Sequence, residues 1–229
     1  METKKDKNYL QAAMLLLMLV ILPGGSWIWL NKGYNRSKAA LDEMQNYGHL
    51  PAFQLTGLNG QPTDSSVVHD QMTLAVFLNS QDAKTEARLA TLSTLHRQFD
   101  ERNDFKLLIH FTDDPNLNTI QEKSRLLDEE QIYLVKGSPG AIQQLIEKSY
   151  RLPNLDQPRE PGSTLIFKNV SSDNIGDYPF YVLIDEEGII RNYYHADRPE
   201  DVERMVEHIA LTLPRNLEGD PRLRRDKEL

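Results

Sequence analysis

Two carboxylates, Asp82 and Glu86, have types and a spacing that could do chemistry. They lie four positions apart in a short polar loop, where the apolar run 73–79 meets an amphipathic pattern. Residues four apart share one face of a helix, so the pair could bind a hard cation or act in acid–base catalysis. Acidic residues are also favoured in a first helical turn by the helix dipole. We favour this structural interpretation.

A second acidic pair, Asp113 and Asp114, follows the apolar run 105–112. Many α/β proteins bind ligands at such strand ends, although Asp-Asp-Pro-Asn is also ordinary turn chemistry. The histidines show no close metal-ligand spacing, and His110 could be a core residue of its strand. We therefore predict no metal and no cofactor, with a histidine site assembled in space as the alternative. The six histidines are His49, His69, His96, His110, His195 and His208.

Composition excludes several classes of function. The chain has 229 residues, a net charge of −8 and no cysteine. A nucleic-acid-binding protein needs a basic surface, so the acidic balance argues against one. Without cysteine there is no disulfide, no thiol catalysis, no thiolate metal site and no acylated lipoprotein anchor.

Residues 10–30 carry no charged side chain. At about 1.5 Å per residue, a helix of this length reaches roughly 30 Å, the thickness of a bilayer core. A cleaved signal peptide is the alternative, but the run is long and resumes after Pro-Gly-Gly-Ser with two tryptophans suited to a membrane interface. The sequence predicts an uncleaved anchor. Its short N-terminal tail favours a domain outside the cytoplasmic membrane.

The rest of the chain alternates strand and helix patterns, which predicts an α/β fold with helices on both faces of a mixed sheet. A hairpin signal comes first, and an antiparallel pair about a Glu-Glu-Gly turn comes late. The intervening strands are predicted at 73–79, 105–112 and 131–137, and the helices at 82–103, 116–128, 139–152 and 198–213.

These patterns divide the chain into four parts. Residues 1–31 form the N-terminal tail and anchor, and residues 32–50 form a polar, helical stalk that Pro51 ends. Residues 51–213 form the domain, which includes a loop-rich region at 152–177. Residues 214–229 form a polar C-terminal tail.

Several segments together resemble the Sco/SenC group of membrane-anchored cytochrome oxidase assembly proteins, within the thioredoxin-like superfamily. The resemblance covers about residues 50–213. LPAFQLTGLNGQP is similar to the family's entry hairpin, LAVFLNSQDA to the strand before its cysteine loop, FTDDP to its strand-end Asp-Pro, LVKGSPGAIQQL to its turn into a helix, and YVLIDEEGIIRNYY to its late hairpin. The resemblance implies a thioredoxin-like mixed sheet flanked by helices, with an N-terminal transmembrane helix.

The resemblance also implies copper and redox chemistry, based on two cysteines separated by three residues and a histidine before the late hairpin. Here those positions correspond to Asp82, Glu86 and the segment GDYPF, which contains Tyr178 and Pro179 but no histidine. Carboxylates are poor ligands for copper(I), and thiol–disulfide exchange needs sulfur. We therefore predict that these four residues mark vacant redox and metal positions. Pro179 resembles the family's cis-proline, but it could equally be an ordinary strand-entry residue.

The sequence thus favours a membrane-anchored, redox-inactive Sco-like protein that is not an enzyme. The resemblance implies a membrane protein partner, which would be a respiratory oxidase subunit or an assembly factor. Membrane lipid would be contacted through the anchor, and the domain would lie on the periplasmic side. The alternative is a copper-binding or copper-delivery protein, or an enzyme, with ligands other than cysteine.

Overall fold

A computed structural model of the protein describes residues 4–99, 102–124, 131–151 and 178–213. The chain divides into two compact units, with the boundary between Asp42 and Glu43. The predicted loop region 152–177 and C-terminal tail 214–229 lie outside the described residues. So do the last positions of the helix predicted at 116–128.

The first unit is a single helix, α1 (Lys4–Asp42). From Met14 onward this helix is long and apolar enough to cross a membrane, and its most apolar part is not buried. Its exposed leucine, isoleucine and tryptophan side chains suit a lipid solvent. An N-terminal helix that could span a membrane is therefore present, as predicted. It ends at Asp42, short of the predicted stop at Pro51.

The second unit is built on a seven-stranded mixed sheet in the order β2-β1-β5-β4-β3-β6-β7. The central strands β3, β4 and β5 are parallel, and an antiparallel hairpin flanks them on each side. The predicted mixed α/β sheet is confirmed. Its strands are β1 (Gln54–Gly57), β2 (Pro62–Asp64), β3 (Met72–Leu78), β4 (Phe105–Phe111), β5 (Ile132–Lys136), β6 (Phe180–Ile184) and β7 (Ile190–His195).

Helices cover both faces of this sheet. Every residue of β3 is buried, because successive side chains point to opposite faces and each face carries its own core. Leu74 and Val76 pack with α2 and α5, whereas Ala75 and Phe77 pack with α4 and the π-helical turn that continues it. These elements are α2 (Thr85–Phe99), α3 (Leu117–Ser124), α4 (Pro139–Gln144), the π-helical turn (Leu145–Tyr150) and α5 (Pro199–Thr212).

Residues 43–50 pack against the edge of β7 instead of continuing the helix. The N–H groups of Gln45 and Tyr47 donate to the carbonyls of Arg191 and Ile190, at 3.1 and 3.0 Å. Further along, Gly48 accepts from Ile190 and Leu50 donates to Gly188. Because these groups bond to the sheet edge, they are not available to a helix. The predicted helical stalk therefore ends at Asp42.

His110 on β4 is fully buried among aromatic rings, in agreement with its interpretation as a core residue. Its ring stacks on Phe77 with centroids 4.6 Å apart. Nδ1 lies 3.1 Å from the Val76 carbonyl, and Nε2 lies 3.3 Å from the Tyr150 hydroxyl. A carbonyl only accepts, so Nδ1 carries the proton and Tyr150 donates to Nε2. Burial lowers the pKa of His110 to about 4.

We expect removal of residues 1–42 to leave a folded domain, whereas removal of residues 1–50 destabilises it. The longer deletion removes the backbone hydrogen bonds to β7 and the contact of Tyr47 with Tyr193, whose ring centroids are 5.3 Å apart. The loss should lower the free energy of unfolding by about 2–4 kcal/mol. Urea unfolding of the two truncated proteins measures the difference, and equal stability would contradict the assignment of residues 43–50 to the domain.

We also expect His110 to make the domain sensitive to acid. Its pKa in the folded protein, about 4, lies below its ordinary value of 6.5. The neutral ring therefore contributes stability in full above pH 6.5, and this contribution is lost as the pH falls toward 4. The loss should amount to about 3 kcal/mol. His110→Phe keeps an aromatic ring without the titration, so urea unfolding at pH 7 and pH 4 should show a smaller acid effect in the variant. An equal effect in both proteins would exclude His110 as its source.

Candidate functional site

The predicted strand–loop–helix unit lies at the carboxyl ends of β3 and β4, which are neighbouring parallel strands. β3 ends at Leu78, and the loop 79–84 leads directly into α2. From the end of β4, the Asp113 carboxylate accepts the Ser80 N–H at 3.0 Å and also accepts the Ser80 hydroxyl. The two loops are therefore joined at the carboxyl ends of β3 and β4. The Asp113 carboxylate makes the hydrogen bonds that join them.

Asp82 lies in a turn before α2 and not within the helix. Its Oδ1 accepts the Lys84 N–H at 2.9 Å, and its carbonyl accepts the Thr85 N–H at 3.1 Å. These bonds hold the loop in a turn, so the helix predicted to begin at residue 82 begins at Thr85. Glu86 lies in the first turn of α2, where the helix dipole favours a carboxylate. The spacing had indicated that the two acids share one face of a helix. Because Asp82 precedes α2, they do not.

The charged centre of the site is Arg88, whose side chain is only 2% exposed. Its Nε and Nη2 donate to the two carboxylate oxygens of Asp197, at 2.8 and 2.9 Å. Its Nη1 donates to Asp82 Oδ2 at 3.3 Å, and Lys84 forms a second ion pair with Asp197 at 3.0 Å. The hydrogen bond from Arg88 lowers the pKa of Asp197 to about 2. These contacts fasten the loop 79–84 to the β7–α5 connection.

The loops surround a cavity of about 490 Å³ at this sheet edge. Its volume is in the range of small-molecule sites. The structure brings Asp82, Glu86 and Asp114 together around the cavity, and the Asp114 carboxylate pairs with Lys136. The lining combines apolar residues, which are Ala83, Leu89, Pro115 and Ile120, with polar ones, which are Ser80, Gln81, Asp82, Thr85, Glu86, Asp114, Asn116 and Thr119.

Metal ligation was the other role open to these acids and to the histidines. Within residues 4–99, 102–124, 131–151 and 178–213, no three histidine, aspartate or glutamate side chains are grouped as a metal site requires. His208 is buried, with Nδ1 2.7 Å from the Tyr194 hydroxyl. His195 accepts the Asp197 N–H at 3.2 Å, and burial, with a smaller effect of Arg198, lowers its pKa.

Tyr178 and Pro179 lead into β6, and neither lines the cavity. Tyr178 is 4% exposed and packs in the core on the α4 side of the sheet. Burial raises the pKa of its hydroxyl, and the charge of Glu147 adds to the effect. The Tyr178–Pro179 peptide bond is trans. Of the two interpretations of Pro179, the ordinary strand-entry residue therefore fits. The structure brings Asp82 and Glu86 together at the cavity and keeps Tyr178 in the core.

Sequence reasoning missed Arg88 and Asp197. One sequence signal could have indicated Arg88, which shares the buried side of α2 with Leu89, Leu92 and Leu95. A cation on an apolar helix face needs a carboxylate partner. The sequence does not indicate which carboxylate, since Asp197 is 109 positions away.

No known protein-family model matches the sequence, and no curated protein matches it either. Solved structures do match. A SCO1/SenC family lipoprotein from Bacillus anthracis has 19% sequence identity and a TM-score of 0.52, over 73% of this chain and 97% of that one. BsSco, described as a member of the Sco family of cytochrome c oxidase assembly proteins, has 16% identity and a TM-score of 0.52, over 75% and 97%.

A putative protein disulfide isomerase from Bacteroides thetaiotaomicron is similar to the same degree. It has 15% identity and a TM-score of 0.52, over 72% of this chain and 88% of that one. At these identities the likeness concerns the fold. The chain has a thioredoxin-like fold of the kind found in Sco-family structures, as the resemblance of its motifs predicts.

We expect Arg88→Met to lower the free energy of unfolding by about 2–4 kcal/mol, because it leaves Asp82 and Asp197 without their buried partner. Arg97→Met is the matched control, since Arg97 is exposed on the same helix. The control should change stability by less than about 0.5 kcal/mol. Urea unfolding at pH 7 measures both variants, and similar values for the two would show that the Arg88 contacts are not important for stability.

Proposed function

We propose that this protein is a membrane-anchored, redox-inactive Sco-like protein that acts by protein contacts in the assembly or support of a respiratory oxidase. The observation that carries the proposal is the chemistry of the loop 79–84. Where a thioredoxin-like redox protein needs sulfur, this loop has Asp82 and the first turn of α2 has Glu86, and the whole chain has no cysteine. Thiol–disulfide exchange requires a thiolate, and copper(I) selects soft ligands.

The hydrogen bonds of the loop support a contact role. Asp82 is bonded to the Lys84 N–H and to Arg88, and Ser80 is bonded to Asp113. A loop that reacts with a partner's thiol or metal must present a reactive atom, whereas these side chains are occupied in holding the loop. The result is a preformed concave surface at the carboxyl ends of β3 and β4. Such a surface suits binding of a partner without a covalent step.

The link to an oxidase rests on analogy with BsSco, described as a cytochrome c oxidase assembly protein of the Sco family. A fold alone does not fix a function. Helix α1 adds support, because a membrane-spanning helix would hold the domain beside membrane-embedded complexes. We also propose that the domain lies on the periplasmic side of that membrane.

A second candidate is a copper-binding or copper-delivery protein, or an enzyme, that uses ligands other than cysteine. The observation in its favour is the cavity at the carboxyl ends of parallel strands, a common ligand position in α/β proteins. Carboxylates suit hard cations better than copper(I), which makes this candidate the weaker one.

Affinity purification of the full-length protein from detergent-solubilised membranes tests the proposal. We expect respiratory oxidase subunits or assembly factors to be retained. A chain in which an unrelated membrane span replaces α1 should retain them as well, because the contacts are assigned to the domain. A protein that consists of α1 alone is the control, and equal retention by this control would contradict the proposal.

Metal analysis of the same preparation separates the two candidates. We expect no stoichiometric copper after dialysis, because the described residues offer no grouped set of ligands. Stoichiometric copper that survives dialysis and disappears in His195→Ala would instead establish the second candidate. His96→Ala, on α2, is the matched control for the loss of a histidine.

A further inference from the structure

We propose that the cavity beside Asp82 and Glu86 receives a lysine or arginine side chain of the protein partner. The inference rests on the proposed function, because it names the chemistry that a partner would present to this surface. The charge, the lining and the preformed shape of the cavity support it.

Acidic charge around the cavity exceeds basic charge. Three carboxylates line it, and two of these have a cation beside them: Asp82 pairs with Arg88, and Asp114 pairs with Lys136. The Glu86 carboxylate has no hydrogen bond or ion pair with any residue in the part of the chain that the structure describes. One carboxylate is therefore left for a cation from outside, and charge complementarity favours a basic partner.

The lining suits a cation on an aliphatic stem. Ala83 and Pro115 contribute accessible apolar surface, along which the methylene groups of lysine or arginine can lie. The side-chain oxygens of Gln81 and Asn116 can accept hydrogen bonds from the charged end. A volume of about 490 Å³ accommodates such a side chain with part of the peptide that carries it.

A bare metal ion fits this cavity less well. A cation such as calcium needs six or more oxygens at about 2.4 Å. The carboxylates line a cavity without forming a ligand group of three among the described residues. The apolar part of the lining would also be left without a role.

The cavity is preformed. The bonds of Ser80 to Asp113, and of Arg88 to Asp197, hold the surrounding loops without any partner. A side chain that enters a preformed site need not order the loops as it binds, which reduces the entropic cost of association.

A peptide titration of the full-length protein in detergent micelles tests the inference. The probe is a fluorescently labelled peptide of alternating glycine and arginine, and its neutral counterpart has citrulline in place of arginine. We expect the arginine peptide to raise its fluorescence anisotropy on binding and the citrulline peptide not to bind. Glu86→Gln should weaken binding of the arginine peptide about two- to fivefold, as loss of one exposed ion pair predicts.

The matched control is Glu187→Gln, which removes the same charge from the exposed β6–β7 turn. That turn follows Ile184, which pairs with Thr73 at the opposite end of β3 from the cavity. The control variant should bind the peptide as the unaltered protein does. Equal weakening by the two substitutions would show that only the net charge attracts the peptide, and would overturn the inference.

Two further results would also overturn it. One is the absence of arginine-peptide binding at low salt. The other is calorimetric binding of calcium chloride that Glu86→Gln abolishes at constant ionic strength, which would assign the cavity to a metal ion. The proposed function is tested separately. Oxidase components retained by a protein that binds no peptide would contradict only the cavity inference, and peptide binding without such components would contradict only the proposed function.

Discussion

Arg88 carries a full charge where its side chain is almost completely removed from solvent. Such a charge is stable only if carboxylates meet it with good hydrogen-bond geometry. Asp197 and Asp82 do so from two separate parts of the chain. This requirement fixes the loop after β3, the first turns of α2 and the β7–α5 connection relative to one another. Together with the bonds of Ser80 to Asp113, these contacts determine the shape of the cavity.

The strands were predictable because their signals are local. The run 73–79 is apolar at almost every position, and the corresponding strand β3 is buried on both faces. The Glu-Glu-Gly turn ends at Gly188, whose φ of 75° is one that glycine adopts readily. Polar loops around such apolar runs define the order of strands and helices. That order was sufficient to predict a mixed sheet with helices on both faces.

The features that could not be predicted depend on partners far away in the sequence. A polar loop such as 79–84 has the same local pattern whether it is helix or turn. The bonds of Ser80 to Asp113 and of Lys84 to Asp197, which are 33 and 113 positions away, hold this loop in place. Likewise, residues 43–50 have a pattern compatible with a helix, and only the distant strand β7 explains why α1 ends before them. Spacing identified the acids at the site, but not the arginine that organises them.

The outer strands of the sheet, β2 and β7, limit how this domain can bind another protein. β2 is three residues long and begins with Pro62, which has no N–H to donate. At the other side, residues 43–50 cover part of β7, and the N–H groups of Tyr193 and His195 bond to the side chains of Asn192 and Asp201. Strand addition, a common mode of peptide recognition, is disfavoured at both edges. Recognition is thus left to side chains, whose identity can change in evolution without altering the fold.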